Sequence, residues 1–385
     1  MRYSDIKLVE SKVHNVQLNE GARIDHAEDI VFWEGSRGAI RALESLKSLE
    51  QGQHSSVTLK WDGSPAIMFG RDDAGEFVLT DKSGFGAKGY DGKSKSADDL
   101  EQMFLNRSGG KNRENPSYVE FAGRMKGIFD LYERATPTDF RGYLKGDLLY
   151  FNTPQVTNKN YVFKPNIVEY AVDIESDLGK RIGASTTAVV VHRFVDEAGS
   201  ETAVPQGINF QGTDVLVVPS VTVQKAPQID DEDINQLKAA VSKNAAGIDK
   251  LLNTPDLIAL KISDFAKVLY AYTNGKVDTG LDNLGADFFD WMAASKLSAN
   301  KQKNIAAHVQ TNQSGFDALW QVVSGIMQIK DKVIDQFDSH DAPVKSSIPG
   351  HSETGGEGYV LAHPDGDVKL VPRQTFTRAN RAVQR

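Results

Sequence analysis

The 385-residue chain contains no cysteine, which excludes disulfides, zinc–thiolate sites and cysteine nucleophiles. That absence suits a reducing compartment, and a cytoplasmic protein is expected. Residues 1–17 are mixed and charged and lack the apolar stretch of a secretory signal. No apolar run is long enough to span a bilayer, so no membrane partner is expected. An excess of positive charge is missing too: 44 Lys and Arg against 52 Asp and Glu give a net charge of -8. Any contact with nucleic acid must therefore come from a local basic surface. Residues 369–385 are one candidate, because Lys369, Arg373, Arg378, Arg381 and Arg385 meet no acidic side chain there. The other reading of that stretch is a solvated, partly disordered tail. Eight histidines show no H-E-x-x-H spacing, and no G-x-x-x-x-G-K-[ST] phosphate loop occurs.

What is present is an ordinary globular composition, with 40% hydrophobic and 25% charged residues. The length fits two domains or one domain with an insertion. Residues 25–49 carry a helical pattern, with Ile40, Leu43 and Leu46 on one side. From Val57 onward, short apolar runs alternate with Gly- and Asp-rich turns, at 57–59, 66–69, 77–79, 143–151, 187–194 and 215–223. These read as strands of a mainly antiparallel sheet with some helices between them. Residues 104–116 hold Arg107, Lys111 and Arg113 among Gly, Asn and Ser, and read as a mobile basic loop. Residues 230–337 are helical in pattern, and Leu319, Val322, Ile326, Ile329, Val333 and Phe337 form the clearest stripe, with Ser314 as its N-cap. Strand texture returns at 359–362 and 368–371 after a Ser/Pro/Gly-rich connection. The expectation is an α+β chain. Residues 1–228 and 341–385 form a β-rich domain, and 229–340 form an all-helical insertion that packs separately and can be removed without loss of the chemistry.

The string Leu59-Lys60-Trp61-Asp62-Gly63-Ser64-Pro65 lies between two strand-like runs. A lysine held at such a junction becomes a nucleophile when neighbouring positive charge or desolvation disfavours its ammonium form. Asp62 is close enough in sequence to orient it or a ribose, and Gly63 permits close backbone approach. The run 83–89 is glycine-rich and suits a loop near a phosphate, without the strand–helix setting of a dinucleotide site.

The string 60–63 resembles the first motif of the covalent nucleotidyltransferases, the superfamily of ATP-dependent polynucleotide ligases and mRNA capping enzymes. Further strings follow in the family's order. Lys82 in 80–84 stands where an arginine is usual. Asp147 in 145–149 stands where a glutamate is usual. His192 or Phe194 sits where an aromatic stacks on the purine. Gly356-Glu357-Gly358 resembles the fourth motif, and Lys369 in 368–371 the fifth, where a single lysine replaces a pair. Motifs one and four are the closest matches.

The resemblance implies an ATP-grasp-like ligase domain built on a mainly antiparallel sheet. It implies that Lys60 takes AMP from ATP, with Asp62, Glu357 and Lys369 as catalytic partners. It implies nucleotide binding by Gly63, Lys82, Asp147, His192, Phe194, Glu357 and Lys369, and Mg²⁺ or Mn²⁺ held by Glu357 and Asp147. Ligases and capping enzymes carry an OB-fold domain after the fifth motif, whereas only 372–385 follow here, and RNA ligases often use helical accessory segments instead. RNA ends are therefore the favoured substrate, ahead of nicked DNA, in a role such as RNA repair. The string around Lys60 is also similar to ligase-like proteins of tailed bacteriophages. Two alternatives remain open: a nucleotide-binding protein that has lost strand sealing, and a nucleotidyltransferase that modifies something other than a nucleic-acid end.

Overall fold

The computed structural model describes residues 25–85, 94–205, 207–339, 344–349, 356–363 and 367–383. Residues 1–17, positions 86–89 of the glycine-rich run, Arg385 and much of the 340–356 connection lie outside the described residues. In chain order the strands are β1 (Asp25–His26), β2 (Val57–Leu59), β3 (Ala66–Arg71), β4 (Phe77–Asp81), β5 (Gly142–Tyr150), β6 (Gln155–Thr157) and β7 (Asn160–Phe163). They continue as β8 (Glu169–Asp173), β9 (Thr187–Val195), β10 (Glu201–Thr202), β11 (Val215–Val217), β12 (Val344–Ser347), β13 (Tyr359–Leu361) and β14 (Val368–Leu370). Contacts divide the described chain into two units. One comprises Trp61–Pro219 with Pro343–Ser352, the other Ile24–Lys60 with Ser220–Ala342 and Glu353–Arg385.

The first unit is built on a sheet of order β10-β9-β5-β3-β4, with β11 added in parallel to β9 and the other pairs antiparallel. Its strands alternate, so Ile67, Phe69, Leu79, Leu144, Leu148 and Val189 share one face. That face is covered by the helices Ala97–Leu105 and Pro116–Ala135 through Leu100, Phe104, Met125, Ile128, Phe129 and Tyr132. Both helices start on a side-chain cap, Ser96 accepting from the amide of Asp99 and Asn115 from that of Ser117. A smaller antiparallel sheet, β12-β8-β7-β6, completes the unit. Trp61 packs there against Phe163 and Tyr170. The basic stretch read as a mobile loop is a 3₁₀ segment, Arg107–Glu114, and Arg107 is fastened to Asp81 by two hydrogen bonds of 2.7 and 2.5 Å.

The second unit combines a four-stranded sheet, β1-β14-β13-β2, with the helices Ile30–Glu50, Asp231–Leu251 and Gln313–Ser339 and shorter ones between them. The stripe from Leu319 to Phe337 is buried as its spacing predicts. The helix begins at Gln313, which places Ser314 inside its first turn and not at the cap. None of the helices described is long and apolar enough to cross a membrane.

The helical run does not close a core of its own. Val241, Ile248, Leu319, Ile326 and Phe337 belong to one apolar cluster with Leu43 and Leu46 of the first helix and with Val57, Tyr359, Leu361 and Leu370 of the sheet. Polar contacts bind the same parts. Gly35 breaks the first helix with a φ of 63°, and the amide and hydroxyl of Ser36 donate to the Asp249 carboxylate at 2.7 and 2.8 Å. A Cβ on residue 35 would lie 2.5 Å from that carboxylate, so only glycine fits. The boundaries expected at 228 and 340 therefore do not mark the division in contacts. An amphipathic helical block looks self-sufficient in sequence, but its apolar faces are here completed by segments from both ends of the chain. Replacing 231–339 with a Gly/Ser linker is expected to leave no folded second unit, read as loss of the cooperative thermal transition for that unit. A soluble deletion variant that keeps a cooperative transition for the rest of that unit would show that the block is separable after all.

Candidate active site

Lys60 directly follows β2. The antiparallel ladder of β2 and β13 pairs Leu59 with Tyr359, and it continues one step further, where the Lys60 amide donates to the Gly358 carbonyl at 2.9 Å. Gly358 has a φ of 111°, and a Cβ there would meet the Leu370 carbonyl at 2.3 Å, so glycine is required for β13 to lie against β14. This geometry brings Glu357 to Lys60 across 297 residues of sequence, and the Lys60 Nζ donates to Glu357 Oε1. Both side chains are largely shielded, at 24% and 13% exposure, so the pair is less screened than one on an open surface.

Alternation sorts the rest of this sheet. Val57, Tyr359, Leu361, Val368 and Leu370 are buried against the helices. Thr58, Val360 and Lys369 are in register with one another and point to the opposite face, the one that Lys60 also takes. Lys369, on a strand of this small sheet, and Lys60 and Glu357, at the end of it, were predicted from separate strings.

A second group gathers in the first unit. Gly63 lies so close to β5 that a Cβ on it would be 2.6 Å from the Asp147 Cβ, so the close approach expected of this glycine is made to a strand. Asp147 pairs with His192, Nε2 to Oδ2 at 2.8 Å. His192 is the extra residue of a bulge in β9, where Lys145 faces Arg193 and Gly146 faces Val191. Lys82 is exposed at the start of the short helix Lys82–Phe85.

Three expectations need correction. Asp62 is buried and its carboxylate is committed: Oδ2 accepts from the amides of Ile167 and Val168 at 2.8 and 3.0 Å, and Oδ1 from Asn166 at 2.9 Å. It pins a loop, and the orienting role read from its nearness to Lys60 in sequence does not follow. Asp62→Ala is expected to destabilise the protein by about 1–3 kcal/mol, since buried donors lose their acceptor. Denaturant titration measures this, and an unchanged midpoint would contradict the structural role. Phe194 faces the helix-covered side of β9, edge-on to Phe140, where it packs in the core and not beside His192. The C-terminal cations are not a free basic surface: Arg373 is buried, Arg378 donates to the Val277 and Asp278 carbonyls, and Arg381 pairs with Asp278.

Two features carried no signal in the sequence. One is a buried ionic cluster: Lys330 donates to both oxygens of Glu28 at 2.9 and 3.0 Å, and Arg373 grips Asp29 at 2.6 and 2.9 Å and reaches Glu28 at 3.2 Å. All four side chains are at most 1% exposed. The other is His26, in register with Lys369 on β14.

The class defined so far is a mixed helix–strand chain in which a lysine–glutamate pair sits at the end of a small sheet. The chain belongs to a family of unknown function, DUF6267, which matches residues 21–103 and 117–385. No curated protein and no solved structure matches it.

Proposed function

We propose that the protein is an ATP-dependent nucleotidyltransferase of the polynucleotide-ligase type, working in the cytoplasm, with Lys60 as the residue that carries AMP. The observation that supports this most is the pairing of Lys60 with Glu357. Two strings that resemble motifs one and four, 297 residues apart, meet side chain to side chain, in a ladder that continues to Gly358.

In this reading the Lys60 ammonium passes a proton to the Glu357 carboxylate it touches, and the free amine attacks the α-phosphorus of ATP. A phosphorus–nitrogen bond forms, the bond from the α-phosphorus to the bridging oxygen breaks, and pyrophosphate leaves. Lys369, on the same sheet face, offsets charge on the phosphates. AMP then passes to a 5′-phosphate end, and a 3′-hydroxyl displaces it to seal the strand. Mg²⁺ typically takes one or two carboxylates and fills its other positions with water and substrate phosphates. Among the described residues no group of three or more acidic or histidine side chains is arranged for a metal. The fit is therefore to an ion that arrives with ATP, with Glu357 as the carboxylate nearest the reacting lysine; bound there, it would offset charge on the phosphates.

RNA ends are the proposed substrate, on the resemblance to RNA ligases with helical accessory segments. The test is incubation with α-labelled ATP and Mg²⁺, then with 5′-phosphate RNA or nicked duplex DNA. Acid-labile label on the protein, stronger with ATP than with GTP, is the expected first result, and joined RNA the second. Label without joining of either nucleic acid would favour a transferase that acts elsewhere, and a preference for GTP would favour capping chemistry. Absence of label would leave the reading without support.

A further inference from the structure

His26 is the feature of this face that the proposed chemistry does not yet use. β1 runs parallel to β14 and places His26 beside Lys369, which in turn faces Val360 and, across β13, Thr58 of β2. Partners in register share a face, so His26, Lys369 and, beyond Thr58, Lys60 line one side of the sheet. Strands are about 4.8 Å apart, so the three steps from β2 to β1 span about 14 Å.

The ring itself is unusual. Its Nδ1 is buried and has no hydrogen-bond partner, and it lies 3.9 Å from the carboxylate of Glu28. An unpaired buried nitrogen is costly. The Glu28 carboxylate favours a proton on Nδ1, and the ring's other nitrogen, Nε2, makes no hydrogen bond within the described residues.

Resting on the reading of Lys60 as the adenylated residue, we infer that His26 is a further ligand of the nucleotide, binding the β- and γ-phosphates at the end of a row formed by Lys60, Lys369 and His26. The charged groups around the ring say how. Before binding, burial and then the cations Arg373, Lys330, Lys369 and Lys60 hold the imidazole well below the ordinary histidine range, so it is neutral at neutral pH. Glu28 is the carboxylate facing it, and that group is itself divided between Lys330 and Arg373. A triphosphate laid over Lys60 and Lys369 offsets the two weakest of these cationic effects and, beyond that, brings its own negative charge beside the ring, which favours the protonated form. The imidazole then takes up a proton, gives Nδ1–H to Glu28 and gives Nε2–H to a phosphate oxygen. Binding is coupled to proton uptake, so affinity falls as pH rises.

The test uses the full chain and two nucleotides, AMP and the α,β-methylene analogue of ATP, which cannot transfer AMP to Lys60. Calorimetry in two buffers of different ionisation enthalpy gives both affinity and protons exchanged. His26→Ala is expected to weaken the analogue by about tenfold or more, the scale of a hydrogen bond to a charged group, and to leave AMP unchanged. His26→Gln restores a donor at the Nε2 position, so it is expected to recover much of the affinity and to abolish proton uptake. If His26→Ala does not fold, the proton count of His26→Gln decides. Equal binding of the analogue by parent and His26→Ala, equal weakening of AMP and analogue, or proton uptake that persists in His26→Gln would overturn the inference alone. A parent protein that binds neither nucleotide would overturn the proposed function with it.

Discussion

Lys60→Arg is expected to leave the protein folded and unlabelled by ATP. Arginine keeps a cation against Glu357 and leaves the backbone ladder to Gly358 intact. Its guanidinium stays protonated and is no nucleophile. The substitution therefore separates charge from chemistry: the unfolding free energy should change by no more than about 1 kcal/mol, the scale of a partly exposed ion pair, while covalent labelling disappears. Lys60→Ala should also abolish labelling, but it leaves the Glu357 carboxylate without this partner. Glu357→Ala and Lys369→Ala are each expected to slow single-turnover labelling by about 10²-fold or more, as when an electrostatic partner of a transition state is lost. Labelling of Lys60→Arg at the parental rate would place the nucleophile elsewhere.

Arg373→Met is expected to destabilise the second unit by about 3–5 kcal/mol, because it strands a buried carboxylate without its cation. Arg373 holds both oxygens of Asp29 and one of Glu28 in a region closed to water. The size of the loss should depend on pH. Burial pushes Asp29 up to about 6 even with the guanidinium beside it. Its folded value lies above its unfolded one, so the ionised form costs stability, and that cost develops as pH rises from about 4 to about 6. Without Arg373 the carboxylate is harder still to ionise, and the penalty grows further above that range. The gap between parent and variant should therefore be smaller at pH 5 than at pH 8, measured by urea denaturation at both. A gap that is constant or narrows with pH would show that the cluster is not held together by charge.

Lys60 and Glu357 were legible in the sequence because each belongs to a short string with glycine at a fixed place, and glycine marks where backbones must approach closely. The stripe from Leu319 to Phe337 was legible through its period. What the sequence withheld follows from chain geometry. Simple alternation puts His192 and Phe194 on one face of a strand, but the bulge at His192 inserts one residue and sends Phe194 to the other. Asp62 reads as a partner of Lys60 because a single residue separates them, yet its carboxylate accepts hydrogen bonds from 166–168, more than a hundred residues away. Lys330 follows Ile329 of the apolar stripe, and its partner Glu28 lies 302 residues distant, so nothing local in the sequence signals the pair. The helical block has a convincing amphipathic pattern, and no periodicity reveals that its apolar faces are completed by residues 30–57 and 359–370.

Covalent attachment at Lys60 is the central claim, and mass spectrometry tests it most directly. The purified protein is incubated with ATP and Mg²⁺, its intact mass is recorded, and the modified peptide is sequenced. The account predicts the gain of one adenylyl group, located on Lys60 and absent from Lys60→Arg. An unmodified protein, or an adenylyl group on any other residue, would contradict it.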